Sequence, residues 1–359
     1  MTRALLLLLG FFTCTSGATA QGRLVAIPEA EPSAELVEAV RVALDSKSKP
    51  LHLHLGESAP EGAVLLDTND YAWLWDRELA ARMVRSEALV LSGGSFLQWY
   101  DALLTDRRRM VFTAGLYDAL RKGTDVIGYG GAAAFLSRGT SIPRAELVAR
   151  EDSRPRNPRQ GGEQRPVVGL GLGPPGYIDA LAFEDGSPSR LMNALAETHI
   201  DLGWWIAPNT ALLYDYPTSS VRVVGPGHAI LLDLSRARRK RSGTSGARLS
   251  VLEGGDGWLR PRRRLLIPSA LRAPDTLADG TAAPAEALEA AARRTAGFLP
   301  ESPAPFHGNL RADMDSRWTG PDASPRPLRL LLDWRHAIQK ARPAEDSTKS
   351  SAGDSAVPR

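Results

Sequence analysis

Short apolar runs alternate with amphipathic stretches through the first two thirds of the chain, the pattern of strands that hand over to helices. Residues 23–27 (RLVAI) read as a first strand. Residues 34–44 set Leu36, Val37, Val40 and Leu44 at helical spacing behind Ser33, a candidate N-cap. Residues 51–55 (LHLHL) alternate strictly, which places His52 and His54 on one face of a half-exposed strand. No third ligand stands near the two histidines, so a solvated strand face is expected over a metal site. Residues 75–85 are amphipathic, residues 88–91 form a second buried strand, and Ser92-Gly93-Gly94-Ser95 ends it in a glycine turn. Open α/β sheets bind ligands at such carboxyl ends. Helices are expected over 96–104 and 109–121, the second closed by Lys122-Gly123.

The segment 124–138, TDVIGYGGAAAFLSR, carries the most pointed pattern. Val126 and Ile127 lead into a glycine-dense turn, and an alanine-rich helix over 132–136 follows. In a nucleophile elbow of the form G-x-S-x-G, a strained strand-to-helix turn lifts a serine above the sheet. Residues 128–132 read G-Y-G-G-A, and the middle position is Gly130. The scaffold of a hydrolase site is expected here without its nucleophile.

Further on, the polar, aperiodic segment 151–166 reads as a surface loop, 167–172 as a strand ending in glycines, and 189–198 as a helix. Residues 203–213 lead into a strand pair, and 221–224 and 229–232 are β-rich around Gly225-Pro226-Gly227. The basic stretch 235–247 reads as a loop, and 249–252 with 264–267 as a hairpin-like edge. Alanine and proline dominate 273–305, with one helix over 285–296, and 328–338 allows one more packed element. The polar tail from residue 342 is expected to be disordered.

The chain has 359 residues, 43% hydrophobic and 24% charged, which suits two domains or one large α/β domain with an extension. A net charge of +3 is too weak an excess to be a nucleic-acid signature. Basic residues nonetheless cluster at 107–109, 236–241 and 260–264, either as solvated loops or as anion-binding sites. Met1-Thr2-Arg3, an apolar run over 4–12 and Ala18-Thr19-Ala20 form a signal-peptide pattern, so Gln21 is the expected first mature residue of an exported protein. The apolar run is too short to span a bilayer. Phe12 and Thr13 before Cys14 speak against a lipoprotein signal. Cys14 is the only cysteine, so the chain beyond it offers no disulfide, thiolate metal site or cysteine nucleophile.

Leu91-Ser92-Gly93-Gly94, the segment 126–134, and the run Gly169-Leu170-Gly171-Leu172, Ile178-Asp179, residues 190–194 and Asn209-Thr210-Ala211-Leu212 together resemble the cyanophycinase family. These are serine peptidases related to the aspartyl dipeptidases. Residues 249–264 resemble the family's closing hairpin, and the resemblance covers about residues 85–267. It departs from the family's G-T-S-A-G-A-A elbow at Tyr129, Gly130, Gly131 and Ala132.

The fold this resemblance implies is a three-layer α/β/α domain over 21–270 with a mostly parallel sheet, class I glutamine-amidotransferase-like and flavodoxin-like. Composition and the N-terminal pattern add a signal peptide over 1–20, a poorly ordered alanine- and proline-rich extension with one or two helices over 271–341, and a disordered tail over 342–359. The activity it implies is peptide cleavage at aspartyl linkages by a serine, a histidine and an acidic residue. Carried over, these three positions are Gly130, Leu181 and Pro208, none of which can do the chemistry. The family's glutamine is replaced near Ser95 and Phe96, whereas Asp179 and Arg190 stand where the family has an aspartate and arginines around its substrate.

The expectation is a catalytically inactive protein that acts by binding or assembly. The alternative is an active serine-type hydrolase on aspartyl peptides with a relocated nucleophile. Ser95, Ser137, Ser141, His199 and His228 remain in the region, with Ser137 read as a helix serine and His199 as a partner of a helix dipole. Candidate ligand-binding residues around the two glycine turns are Gly93, Gly94, Ser95, Phe96, Tyr129 and Gly131. Asp179, Arg190, Trp204, Trp205 and Asn209 are the candidates further along. Tyr129, Phe96, Leu181, Trp204 and Trp205 form an aromatic and apolar pocket in one reading and a filled-in cavity in the other. No cofactor and no metal are expected. The partner is a small molecule or peptide of unread identity, with a homodimer allowed and neither nucleic acid nor a membrane span.

Overall fold

Strands that are apolar on both faces need a layer on each side. The computed structural model describes residues 21–45, 49–104, 110–143, 164–179, 188–240, 243–267, 271–272, 308–311, 317–319, 326–328 and 330–335. β1 (Arg23–Ile27) is buried in all but its first residue. α1 (Ala34–Ala43) follows, opened by the Ser33 hydroxyl, which accepts from the Leu36 N–H at 3.2 Å. Next come β2 (Leu51–Gly56), β3 (Val64–Asp67), a 3₁₀ turn over Tyr71–Trp75 and α2 (Arg77–Arg85). β4 (Ala88–Gly93), α3 (Phe96–Leu104), α4 (Val111–Arg121), β5 (Asp125–Tyr129) and α5 (Gly131–Leu136) complete this half.

Its five strands are parallel, in the order β3-β2-β4-β5-β1. Alternation sorts their side chains. Leu24, Leu89, Leu91 and Val126 pack with apolar residues of α2, α3 and α4, whereas Val25, Ile27, Val90 and Ile127 pack with Leu36 and Val40 of α1. The expected α/β/α layering is present. Arg23 clamps its base: the guanidinium lies 2.7 Å from Asp125 of β5 and donates to the Leu44 carbonyl at the end of α1 at 2.5 Å. A cation there also suits the helix dipole.

β6 (Gly139–Pro143) and β7 (Gln164–Val168) form a separate antiparallel pair. Then follow β8 (Tyr177–Asp179), α6 (Pro188–Thr198), β9 (Leu202–Ile206), β10 (Ala211–Asp215), β11 (Ser220–Val224) and β12 (His228–Asp233). β13 (Arg238–Lys240), β14 (Gly243–Glu253), β15 (Gly257–Leu259) and β16 (Arg264–Leu266) come next. β10, β11, β15 and β16 extend the first sheet beyond β1, each antiparallel to the strand before it. β8, β9, β12 and β14 build a second sheet.

The two sheets pack face to face. Trp204, Ile206, Leu231 and Leu252 of the second share a core with Leu212, Tyr214, Val223 and Trp258 of the first. α6 covers the other side of the second sheet, with Leu191 and Leu195 packed among Trp205, Ile230 and Val251. Later in the chain, β17 (Leu271–Arg272) pairs with β19 (Arg317–Thr319), which pairs with β20 (Arg326–Leu328). β18 (Gly308–Arg311) pairs with β21 (Leu330–Arg335), and β21 joins the second sheet beside β14.

Local pattern identifies strands better than their partners. β9 and β10, within and beside the stretch 203–213, lie in different sheets, as do the β-rich segments β11 and β12, and β14 and β16, expected as a hairpin-like edge. The expected hairpin around Gly254 to Gly257 is instead a crossing from the second sheet to the first, and the true hairpin is β15–β16. The basic stretch 235–247, expected as a loop, holds the antiparallel pair β13–β14. The end of the expected loop 151–166 is β7, and the strand expected over 167–172 stops at Val168. There the backbone turns to bond the end of α5, with the Leu170 N–H 2.8 Å from the Phe135 carbonyl. The helix expected over 285–296, residues 1–20 and the tail from 342 lie outside the described residues.

Three short sheet-to-sheet crossings, at 207–210, 225–227 and 254–256, stack on one another. A Cβ on Gly225 would sit 2.4 Å from the Asn209 carbonyl oxygen, and one on Gly254 would sit 2.6 Å from the Gly225 carbonyl oxygen. Gly225 also has φ +103. Gly225→Ala should therefore cost more than the roughly 1–2 kcal/mol of left-handed backbone strain alone. Gly255, at φ +92 with nothing within 4 Å of where a Cβ would stand, isolates the backbone share. Chemical denaturation should show the Gly225→Ala loss clearly exceeding that of Gly255→Ala; equal losses would mean the crossings are not tightly stacked.

Candidate functional site

β5 ends at the carboxyl edge of the first sheet, and the chain turns there through Gly130 into α5. Gly130 has φ 54 and ψ −123, a region open to glycine and strained for other residues. Its N–H donates to the Ile27 and Glu29 carbonyls at 2.9 and 3.1 Å, and its carbonyl accepts from the Ala133 N–H at 3.1 Å. This is the geometry of an elbow with no side chain at its apex. A Cβ would lie 3.1 Å from the Ala30 Cα.

The neighbouring turn after β4 lies against it. A Cβ on Gly131 would fall 2.5 Å from the Gly94 carbonyl oxygen and from the Phe96 nitrogen. Gly93, Gly94, Gly130 and Gly131 are all half-exposed. Ser95 and Gln98 form a capping box at the start of α3: the Ser95 N–H donates to Gln98 Oε1 at 2.7 Å, and the Gln98 N–H donates to Ser95 Oγ at 3.3 Å. Because β10 runs antiparallel to β1, Pro208 and Asn209 reach the same edge. The Asn209 N–H donates to Glu29 Oε1, and Asn209 holds φ +58. Glu29 Oε2 is buried with no hydrogen-bond partner among the described residues. The sequence pattern did not single out this carboxylate, which stands beside the position expected to be acidic.

Gly93, Gly94, Ser95, Gly130, Gly131, Pro208 and Asn209 thus share one edge. The aromatic candidates do not form one pocket with them. Phe96 packs beside Tyr100 and Phe135 over the parallel strands, and Tyr129 packs on the α1 side. Trp204 is fully buried between the sheets, donating to the Pro175 carbonyl at 2.9 Å, and Trp205, pointing the other way, is fully buried under α6. Adjacent strand residues face opposite sides, which is why the two tryptophans part. Asp179 ends β8, buried, opposite Trp205 in register. Arg190 lies on α6 with its side chain outside the described residues, and Leu181 is wholly outside them.

A polar cluster that sequence reasoning missed lies beside the glycine turns. His52 Nε2 and His54 Nδ1 of β2 stand 2.6 and 2.9 Å from the Ser92 hydroxyl of β4. The histidines are half-buried and bonded, where a solvated face was expected. Gly93 permits this: at φ +68 it has no Cβ, and one would lie 2.6 Å from the His54 ring. The signal was the strand order, which sets His54 opposite Ser92 and which local alternation does not reveal. Ser137 is fully buried, its hydroxyl donating to the Ala134 carbonyl at 2.6 Å, as a helix-end serine should. His199 is exposed at the end of α6 with φ +56, and His228 opens β12.

No protein-family model and no curated protein matches the sequence. Among solved structures, the chain is similar to a peptidase from an acI-B1 actinobacterium, at 16% identity and a TM-score of 0.47, covering 67% of this chain and 98% of that one. It is also similar to a putative peptidase E protein from Listeria monocytogenes EGD-e, at 11% identity and a TM-score of 0.35, covering 54% and 94% of the two chains. Among the described residues, no three histidine, cysteine, aspartate or glutamate side chains gather as a metal site. None of the described helices is long and apolar enough to cross a membrane.

Burial holds His52 and His54 below the ordinary histidine pKa, and the charge of His54 adds to the effect on His52. When the folded pKa lies below the unfolded one, the unfolded chain takes up protons first as pH falls, and stability drops. The thermal midpoint should therefore fall as pH is lowered through about 6.5, the unperturbed histidine value. A His52→Gln/His54→Gln variant should show a shallower fall over that window. An unchanged slope would remove this cluster as its source.

Proposed function

We propose that this chain is an exported protein built on a serine-peptidase-like α/β scaffold, without a working elbow nucleophile, that acts by binding a small molecule or peptide. The observation that carries this reading is Gly130, which occupies the apex of the elbow in the conformation a nucleophile would need and offers no atom to react. Pro208, carried over as the acidic position, supplies neither charge nor proton acceptor in its side chain. What remains at the edge is half-exposed main chain from two touching glycine turns, suited to holding a ligand by backbone groups. Homodimerisation and export belong to the same proposal, the latter resting on Ala18-Thr19-Ala20.

A relocated nucleophile is the second reading, and one observation favours it. The Ser92 hydroxyl is bonded to two histidines whose neutral forms are favoured by burial, and a neutral imidazole can take a hydroxyl proton. Against it, Ser92 is only 4% exposed. A fluorophosphonate probe separates the two. The purified protein should remain unlabelled; stoichiometric labelling that disappears in Ser92→Ala would establish the second reading instead.

Restoring the elbow serine is the complementary test. Gly130→Ser should lower stability by about 1–2 kcal/mol, the cost of a side chain in left-handed backbone. It should also give no peptidase activity, because positions 181 and 208 still supply no catalytic partners. Hydrolysis by this variant above a mock-purified control would reveal a working base at the edge and defeat the inactive reading.

A further inference from the structure

We propose that the cleft between the second sheet and the β15–β16 hairpin binds a small organic anion carrying at least two negative charges on phosphate or carboxylate groups. The cleft measures about 340 Å³, a size that suits a small organic molecule. Leu231, Asp233, Arg248 and Ser250 of β12 and β14 form one wall, and Trp258, Arg262, Arg263 and Leu265 form the other, with Ser235 and Arg236 completing the lining. Its lining therefore carries four arginines and one aspartate. Such one-sided charge between low-dielectric walls concentrates anions, and the planar guanidinium fork matches phosphate and carboxylate oxygens.

The arginines are placed by structure. Arg263 holds φ +43 in the tight turn from Arg260, a strained position for a side-chain-bearing residue. From there its guanidinium donates to Asp233 at 2.9 Å and to Asp201 at 3.1 Å, bracing the hairpin against the second sheet. Arg248 stands directly opposite Asp233 in register. Arg262, next to the brace, is exposed and makes no ion pair among the described residues. Buried Ser250 and Trp258 add a hydroxyl-bearing and an aromatic residue to the lining. Members of two basic clusters, 236–241 and 260–264, meet here because the turn at 254–256 returns the chain from the second sheet to the edge of the first. The cleft shares no residue with the glycine turns, so this site stands independently of the reading given for them.

Isothermal titration of the purified protein at fixed ionic strength tests the assignment, with inorganic pyrophosphate and citrate as probes and glucose as a neutral control. Saturable binding of at least one anion, at one site per chain and with none of glucose, is expected. Preference for pyrophosphate would mark a phosphate-bearing ligand, and preference for citrate a carboxylate one. R262Q, on an exposed turn, should weaken binding about tenfold, the effect of losing one charge-assisted contact. R77Q, which removes the same charge from the exposed start of α2, should bind as the unaltered protein does. Failure of both anions to saturate, or equal weakening in R262Q and R77Q, would overturn the proposal.

Discussion

The two-sheet arrangement depends on direct contact between stretches of main chain. Three times the chain passes directly from one sheet to the other in a few residues, at 207–210, 225–227 and 254–256, and these turns touch carbonyl to glycine. The reward is a closed core: Trp204 and Trp258 meet edge to face, with ring centroids 6.3 Å apart, in the space the crossings enclose. The same device recurs at the carboxyl edge of the parallel strands, where Gly131 lies against the Gly94 turn. Glycine thus fixes both the architecture and the shape of the candidate site.

A chemical asymmetry runs along that edge. The turn at Gly130 has the shape of an elbow, and the hydroxyl groups around it are engaged in holding structure. Ser95 caps a helix, Ser137 bonds the backbone on either side of it, and Ser92 bridges two histidines on the adjacent strand. Gly130 removes the strain that a serine would store there, and the surrounding backbone bonds hold the turn without it. The geometry of this turn is held by packing and hydrogen bonding, forces that act whether or not any reaction takes place.

Much of the first half was readable in the sequence because its signals are local. The Ser33 cap, the amphipathic α1 and the apolar runs of β4 and β5 each announce themselves within a few residues, and the structure holds each close to where it was read. The strand-to-helix turn at Gly130, too, was legible, since glycine spacing between a strand and a helix is a local property. The second sheet was not. Residues 202–206 and 211–215 look alike as sequence, and only long-range packing sends them into different layers. For the same reason the tryptophans, read as lining one pocket or filling one cavity, lie in two cores, and the bonded pair of histidines passed for a solvated face. His54 meets Ser92 because β2 and β4 are neighbours, a fact that no window of sequence contains.

The first strand in the chain is the central hinge of the first sheet, flanked by β5 on one side and β10 on the other. Leu24 therefore waits for Val126 and then for Tyr214 before its backbone is paired. As the chain is made from its N-terminus, RLVAI is an almost wholly apolar strand with no partner until β5 (Asp125–Tyr129) exists and none on its other side until β10 (Ala211–Asp215) does, which is slow-folding topology and an invitation to pair with the wrong neighbour. Arg23 at one end and Pro28 at the other bracket it, a charge and a proline being two devices that discourage stray strand pairing. The charge that binds Arg23 to Asp125 in the fold is thus one that also disfavours stray pairing of the strand before that fold forms.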